Sequence, residues 1–216
     1  MYIQSSIRKK TYLYEALKRA FDICFSSAVL LLGFPLFLLI GIGVLFSSKG
    51  PILHVQKRVG KKGRVFRFYK FRTMQQGSEK ILGELLEKNP KMQQEWNTFC
   101  KLKNDPRITK FGKFLRATSL DEFPQFWNVL IGDLSIVGPR PMFASEIKKY
   151  AQKQARKILS VKPGLTGIWQ VSGRSTLSMN ERVLLELSYV DKRSFLLDLK
   201  LICKTVPLLF FSKGAY

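Results

Sequence analysis

Between Ile23 and Phe46 the chain runs for 24 residues, ICFSSAVLLLGFPLFLLIGIGVLF, without a charged side chain, and a proline stands in the middle. As one α-helix at ~1.5 Å per residue the run would extend ~36 Å, enough for a hydrocarbon core ~30 Å thick. Pro35, however, leaves the Leu31 carbonyl without its helical donor, at a cost of roughly 3 kcal/mol in a helix interior. A bend is expected there. Divided at Pro35, the segment gives two arms of 12 residues, each ~18 Å long, which reach about the bilayer middle and return.

The flanking charges bear on the choice. Arg8, Lys9, Lys10, Lys18 and Arg19 precede the segment, and Lys49, Lys57, Arg58, Lys61, Lys62 and Arg64 follow it. A re-entrant hairpin puts both basic flanks on the cytoplasmic side, whereas a spanning helix violates the positive-inside bias at one end. A single-pass anchor stays open, because proline is tolerated in membrane helices. A cleaved signal peptide is disfavoured by the acidic and aromatic residues ahead of the run, by its length, and by the lack of a small-residue cleavage site after it.

The rest of the chain is strongly basic, with 37 Lys+Arg against 15 Asp+Glu and a formal net charge of +22. Such an excess implies an anionic partner and leaves nucleic acid, anionic lipid and phosphorylated substrate to be weighed. A chain of 216 residues, 46% of them apolar, suffices for one good core. Cys24, Cys100 and Cys203 lie far apart, and the single histidine, His54, has no clustered companions. Neither a disulfide framework nor a zinc site is supported, and a reducing, cytoplasm-facing setting fits. His54 sits in an alternating apolar run and is expected as a structural side chain.

Residues 51–73, PILHVQKRVGKKGRVFRFYKFRT, predict two strands around a Gly60-Lys61-Lys62-Gly63 turn, with Phe66 and Phe68 on one face and Val65, Arg67, Tyr69 and Phe71 on the other. The hairpin carries Lys70 and Arg72 away from its turn. Residues 78–100 are mixed helical and polar, interrupted by Pro90, and KLKNDPRIT is a turn leading into a helix. In TKFGKFLRA, Phe111, Phe114 and Leu115 fall on one side of a helix and Lys110, Lys113 and Arg116 on another. That pattern covers a protein core or rests among anionic head groups. The C-terminal FLLDLKLICKTVPLLFF is apolar, but Asp198, Lys200, Lys204 and Pro207 argue against lipid on all sides, so it is expected at the surface.

Within TSLDEFPQFWNVLIGDLSIVGPRPM, Ser119-Leu120-Asp121-Glu122 matches a capping box at the start of a helix running towards Leu130. That structural reading competes with a chemical one. Helix N-terminal amides together with Arg116 and Arg140 would attract phosphate oxygens. An ionised Asp121 there could attack phosphorus without a general base and form an acyl phosphate. Because a carboxylate is repelled by a diphosphate, cations must neutralise the approach, and Glu122 is a suitable oxygen ligand for Mg2+. Pro139 and Pro141 stiffen the backbone around Arg140, a bidentate phosphate donor. Downstream, VKPGLTGIWQVSGR reads as a turn followed by a short aromatic strand.

Taken together, KRAFDI, the proline-broken segment, FYKFRTM, LKNDPRIT, TSLDEFPQFWNVLIGDLSIVGPRPM, VKPGLTGIWQVSGRS and the YV then DLK pattern near the end resemble the bacterial sugar transferase family, the monotopic phosphoglycosyl transferases acting on polyprenol phosphate. The match runs from about residue 18 to the C-terminus. The insertion, KLKNDPRIT and the terminal KGAY look most like the catalytic part of undecaprenyl-phosphate galactose phosphotransferases, and the multi-helix N-terminal membrane domain of the long members is not expected here.

The resemblance implies an α+β, mostly α-helical fold with a re-entrant membrane helix hairpin broken near Pro35, a small β-hairpin and interfacial amphipathic helices. Residues 1–49 would be the tail and re-entrant helix, and 50–216 the cytoplasmic transferase domain. It implies a ping-pong reaction on the cytoplasmic face of the bacterial inner membrane. Asp121 attacks the phosphate next to the sugar of a UDP-hexose, expelling UMP, and undecaprenyl phosphate then takes the hexose phosphate. Asp121 and Glu122 are the catalytic and Mg2+-associated pair, while Lys70, Arg72, Arg116 and Arg140 serve substrate phosphates. Asp198 matches another family acidic position, and Glu186 receives no role. UDP-galactose or UDP-glucose is the expected donor, with an N-acetylated sugar, the surface polysaccharide served (capsule, exopolysaccharide or O-antigen) and a homodimer left open.

The basic excess is then shared among anionic inner-membrane lipids, nucleotide sugar and lipid phosphate. A noncatalytic basic peripheral protein and a hydrolase passing the intermediate to water are the competing readings. No nucleic-acid module is recognisable, and the apolar segment has no place in RNA or DNA binding.

Overall fold

The computed structural model describes residues 2–99, 102–173 and 177–210. Of the positions named above, Cys100, Lys101, Arg174, Ser175 and the KGAY terminus lie outside the described residues, as do the side chains of Arg8, Lys9 and Lys10. The fold is α+β and largely helical. The chain forms two compact units, one from the described parts of Met1–Phe34, Val55–Tyr69 and Pro124–Ser212, the other from Pro35–His54 and Lys70–Phe123.

The apolar run does break near its proline. Helix α1 (Tyr2–Leu32) ends one residue before Gly33, and α2 (Phe34–Ser47) begins just ahead of Pro35, where a missing N–H costs least. No single described helix is long and apolar enough to cross a membrane, whereas α1 and α2 pass that test together as a bent pair. Leu31 and Leu32 at the end of α1, and Leu39 and Phe46 on α2, are exposed.

Strands β1 (Leu53–Val59) and β2 (Val65–Phe71) form the expected antiparallel hairpin around a turn at Lys61–Gly63. Phe66 and Phe68, placed on one face by the sequence, are both buried. Phe71, on the opposite parity, is also buried, because it packs with Ile40, Val44 and Leu115 in the second unit's core. His54 does not bear out its structural reading: it is exposed on β1. Desolvation, then the Lys70 and Arg116 charges, lower its pKa and favour the neutral imidazole.

In the second unit, α3 (Ser78–Lys88) stops before Pro90, and α4 (Pro90–Phe99) starts on it. The Asn89 side chain accepts from the Lys91 and Met92 amides, so the proline that ends one helix opens the next. Thr109 caps α5 (Lys110–Ala117) by accepting from the Gly112 amide. Leu115 is fully buried and Phe114 is 53% exposed, so the apolar side of α5 is shared between core and surface. Gly112 is required by crowding, since a Cβ there would collide with the Thr73 backbone.

In the first unit, α6 (Gln125–Ile131) packs along α1. Asn128, fully buried, accepts from the Tyr69 amide and donates to the Arg67 carbonyl, pinning β2 to this helix. β3 (Ser135–Val137) follows, and Asp22 on α1 holds it by accepting from Ser135 Oγ and the Ile136 amide. Beyond α7 (Ala144–Tyr150) and α8 (Ala155–Ile158), β4 (Gly164–Thr166) pairs parallel to β3 in the register Ser135 with Gly164 and Val137 with Thr166. The expected aromatic strand is not formed, and β4 falls on the stretch expected as a turn. Ile168 and Trp169 instead open the short helix α9 (Ile168–Val171), because β3, the partner strand, itself ends at Val137 and gives the aromatic residues nothing to pair with.

Helix α10 (Met179–Lys192) opens with a capping box between Ser178 and Glu181. The last helix, α11 (Phe195–Phe210), lies at the surface as expected, with Leu199, Lys200, Cys203 and Lys204 exposed, but turns one face inward. Leu196 is exposed, but Asp198 and Leu201 are buried. Asp198 survives burial because Tyr14, Lys18 and Tyr189 all donate to its carboxylate.

Candidate active site

The capping box proposed for Ser119 is not formed. Ser119 adopts a left-handed conformation (φ 57°) and its side chain caps nothing. Leu120–Glu122 make a single 3-10 turn, and α6 starts only after Pro124. Pro124 has no N–H to donate back to Leu120, so an α-helical ladder cannot run through this point. The Phe123 amide donates to the Leu120 carbonyl instead, and the Glu122 amide to that of Ser119. These amides are used within the turn, which corrects the expectation of a helix N-terminus aimed at phosphate.

The tight turn separates the two carboxylates by environment. Asp121 is 7% exposed, whereas the Glu122 side chain is 47% exposed. Lys70, on β2, reaches both: its Nζ lies 2.6 Å from Glu122 Oε1 and 3.8 Å from Asp121 Oδ2. Burial pushes the Asp121 pKa up to about 6, while Lys70 and, more weakly, Arg116 oppose the rise and Glu122 adds to it. At neutral pH the group is therefore mainly ionised despite its burial.

Arg116, at the end of α5, donates from Nε to Thr73 Oγ1 at 2.9 Å. Thr73 is buried and its carbonyl accepts from the Thr109 amide at the start of the same helix, so both ends of α5 are tied to one residue. The bond fixes one edge of the guanidinium beside Asp121, whose charge raises the Arg116 pKa against a larger lowering by burial. Arg72 is used differently. Its guanidinium donates to the carbonyls of Val44, Ser48 and Pro51 and to Ser48 Oγ. It thereby caps the carbonyl end of α2 and fastens that end to the strand bearing Lys70.

Of the residues named from sequence, Lys70, Arg72, Arg116, Asp121 and Glu122 belong to one compact unit, and Arg140 belongs to the other. Arg140 is set by close backbone packing. A Cβ on Gly138 would clash with the backbone of residues 162–164, and the Gly164 amide donates to the Pro139 carbonyl. The Arg140 amide donates to Glu186 Oε1, and its guanidinium lies over Trp169. Sequence reasoning missed Thr73, which touches Arg116. Its only signal was a polar residue following the Lys70–Arg72 stretch.

The profile of the family described as Bacterial sugar transferase matches residues 13–212. The chain belongs to the bacterial sugar transferase family. It is accordingly an enzyme, a phosphoglycosyl transferase. Over 199 residues it is 42% identical to the exopolysaccharide production protein ExoY of Sinorhizobium fredii, covering 92% of this chain and 88% of that one. It is 41% identical over 214 residues to the undecaprenyl-phosphate galactose phosphotransferase of Salmonella typhimurium, covering 99% of this chain and 44% of that protein. Over 206 residues it is 41% identical to the UDP-glucose:undecaprenyl-phosphate glucose-1-phosphate transferase of Klebsiella pneumoniae, covering 92% of this chain and 41% of that one.

Among the described residues no group of three or more His, Cys, Asp and Glu side chains is arranged for a metal. Two adjacent carboxylates suit Mg2+ nonetheless, because this ion takes one or two protein carboxylates and completes its shell with substrate phosphates and water.

Proposed function

We propose that this bacterial sugar transferase moves hexose-1-phosphate from a UDP-hexose, galactose or glucose being the favoured sugars, to undecaprenyl phosphate, with a covalent intermediate on Asp121. The observation that carries the reading is a buried aspartate kept mainly ionised at neutral pH by a lysine that it shares with an exposed glutamate. The names of the relatives support the substrate classes.

In the first half-reaction an Asp121 carboxylate oxygen attacks the phosphorus bonded to the sugar. The bond from that phosphorus to the bridging oxygen breaks, and UMP leaves with the electron pair. In the second, a phosphate oxygen of the acceptor attacks the same phosphorus, releasing the Asp121 carboxylate and forming undecaprenyl-diphospho-hexose. No general base is needed for the first step, because the nucleophile is already an anion. Lys70 offsets the repulsion between that anion and the diphosphate. Arg116 and Arg140 supply planar donors to phosphate oxygens. Glu122 and Asp121 would hold Mg2+, which when bound neutralises phosphate charge.

The exposed apolar side chains of α1 and α2 support a re-entrant segment lying in the cytoplasmic leaflet of the bacterial inner membrane, with residues 1–49 as the membrane part and 50–216 as the catalytic part. Basic flanks at both ends favour the same side, where anionic lipids add attraction. Exopolysaccharide production is the pathway class suggested by the ExoY relative.

Labelled UDP-galactose and UDP-glucose test the reading. Label should stay on the protein before acceptor is added and move to undecaprenyl phosphate afterwards, and Asp121→Asn should abolish the adduct. Substantial turnover by that variant would remove Asp121 as nucleophile.

A further inference from the structure

Trp169, on α9, carries a guanidinium at each of two contacts. Arg140 Cζ lies 5.3 Å from the ring centre and Arg182 Cζ, from α10, lies 5.0 Å from it. The ring is half-buried, so the two cations are held by an indole that cannot move far. Arg140 is close enough to disfavour the charge on Arg182: burial first, and then Arg140, lowers the Arg182 pKa. Among the described residues, no carboxylate lies within ion-pair distance of either guanidinium.

Glu146 partly offsets these effects on Arg182 from beyond ion-pair distance, and the acidic group set into the cluster itself does little to cancel the charge. Glu186, one turn after Arg182 on α10, is 1% exposed. Its Oε1 accepts the Arg140 backbone amide, and its Oε2 has no partner among the described residues. Burial pushes its pKa up to about 8, so near neutrality the carboxyl is mostly uncharged. Two like charges on one ring with a largely neutral acid beneath them are costly in the free protein. A cation–π contact returns only about 0.5–2 kcal/mol each. A dianionic oxygen cluster seated between the guanidiniums relieves that repulsion and satisfies planar donors in pairs.

We infer that Arg182 and Trp169 complete, with Arg140, a phosphate-binding subsite that takes a phosphoryl group of the enzyme's substrates. This rests on the reading of the chain as a phosphoglycosyl transferase, whose nucleotide donor and lipid acceptor both carry that chemistry. Arg182 is the new member. It contacts the ligand, while Trp169 orients both arginines.

The test uses the full chain in detergent micelles and measures equilibrium binding of UDP and, separately, of undecaprenyl phosphate. Arg182→Gln keeps a side-chain donor for the Leu177 carbonyl, to which Arg182 Nε now donates. It should weaken binding of one of the two probes by about tenfold, the equivalent of one charge-assisted hydrogen bond. Loss with UDP assigns the subsite to the donor, and loss with undecaprenyl phosphate assigns it to the acceptor. Trp169→Phe, which keeps a ring of weaker cation affinity, should give a smaller loss for the same probe. Lys200→Gln removes one positive charge from an exposed position on α11 and serves as the control for general electrostatics. Unchanged affinity for both probes in Arg182→Gln, or an equal loss in Lys200→Gln, overturns the inference. Binding needs no turnover, so a failed Asp121 assignment would leave this result standing, and the reverse also holds.

Discussion

Lys70 Nζ stands 2.6 Å from Glu122 Oε1, across from a turn that a proline prevents from becoming a helix. The same ammonium lies 3.8 Å from Asp121 Oδ2, so one cation serves an exposed and a buried carboxylate at once. Lys70 is thus shared between the carboxylate proposed to attack and the one proposed to hold metal.

The first half-reaction should follow the ionisation of Asp121. With a pKa of about 6, UMP release should rise as pH increases through that value and level off above neutrality. Lys70 lowers this pKa, so Lys70→Met should move the midpoint up by about one pH unit, and Lys70→Arg should largely restore it. A pre-steady-state UMP burst, recorded from pH 5 to 9 without acceptor, reads the midpoint directly. An identical midpoint in Lys70→Met would mean that the lysine does not act on the nucleophile.

Thr73 should matter through Arg116 alone. Thr73→Val removes the acceptor of the Arg116 Nε donor and leaves the Thr109-to-Thr73 backbone bond in place. A lost hydrogen bond to a charged group costs about 1.5–3 kcal/mol of stability, so the thermal unfolding midpoint should fall, and kcat/KM for the UDP-sugar should fall roughly 10- to 100-fold because the guanidinium is no longer held in position. Thr73→Ser should recover most of the loss. If serine were no better than valine, the hydroxyl would not be the relevant feature.

Gly112→Ala is expected to damage stability before chemistry. The added methyl would meet the Thr73 backbone, which cannot rotate away as a side chain can. Overpacking of this kind costs about 1–3 kcal/mol, and a lower unfolding midpoint in micelles would register it. The substitution has no other penalty in a helix, where alanine is the better former. A stabilised variant would show that α5 can lift off the strand.

Much of this arrangement could be read from the chain because its signals are local. The GKKG turn between alternating apolar residues specifies the hairpin, Pro90 ends α3 and starts α4, and Pro35 interrupts the apolar run. The acidic pair was harder. Ser119 and Glu122 have capping-box spacing, yet Pro124 blocks the ladder that the box would begin, so the carboxylates end up on a tight turn. Asp22 and Asn128 gave no such signal, because each is satisfied by groups far away in sequence, and Asp198 stood out only as an acid in an apolar stretch, its partners Tyr14 and Lys18 being equally distant along the chain. Arg182 was invisible for the same reason: its relation to Arg140 exists only through Trp169.

Glu186 should make the folded state pH-sensitive in a direction opposite to that of a salt-bridged acid. Its ordinary pKa of 4.5 is raised to about 8 in the fold, so between these values the folded protein keeps a proton that the unfolded chain has lost. The stability tied to that proton is fully present below 4.5 and is lost as pH rises through 8. Glu186→Gln holds a neutral group of the same shape at every pH and should match the parent near pH 4. At about pH 8.5 it should exceed the parent by on the order of 5 kcal/mol, from roughly 1.4 kcal/mol per pH unit over the interval between 4.5 and about 8. The Arg140 amide would keep an oxygen acceptor in the glutamine side chain, so the loop geometry is preserved. Denaturant unfolding in micelles at the two pH values measures the difference. Parallel stability curves for the two proteins would mean that Glu186 is ionised and compensated in the fold, and that the Trp169 cluster carries less net positive charge than its geometry implies.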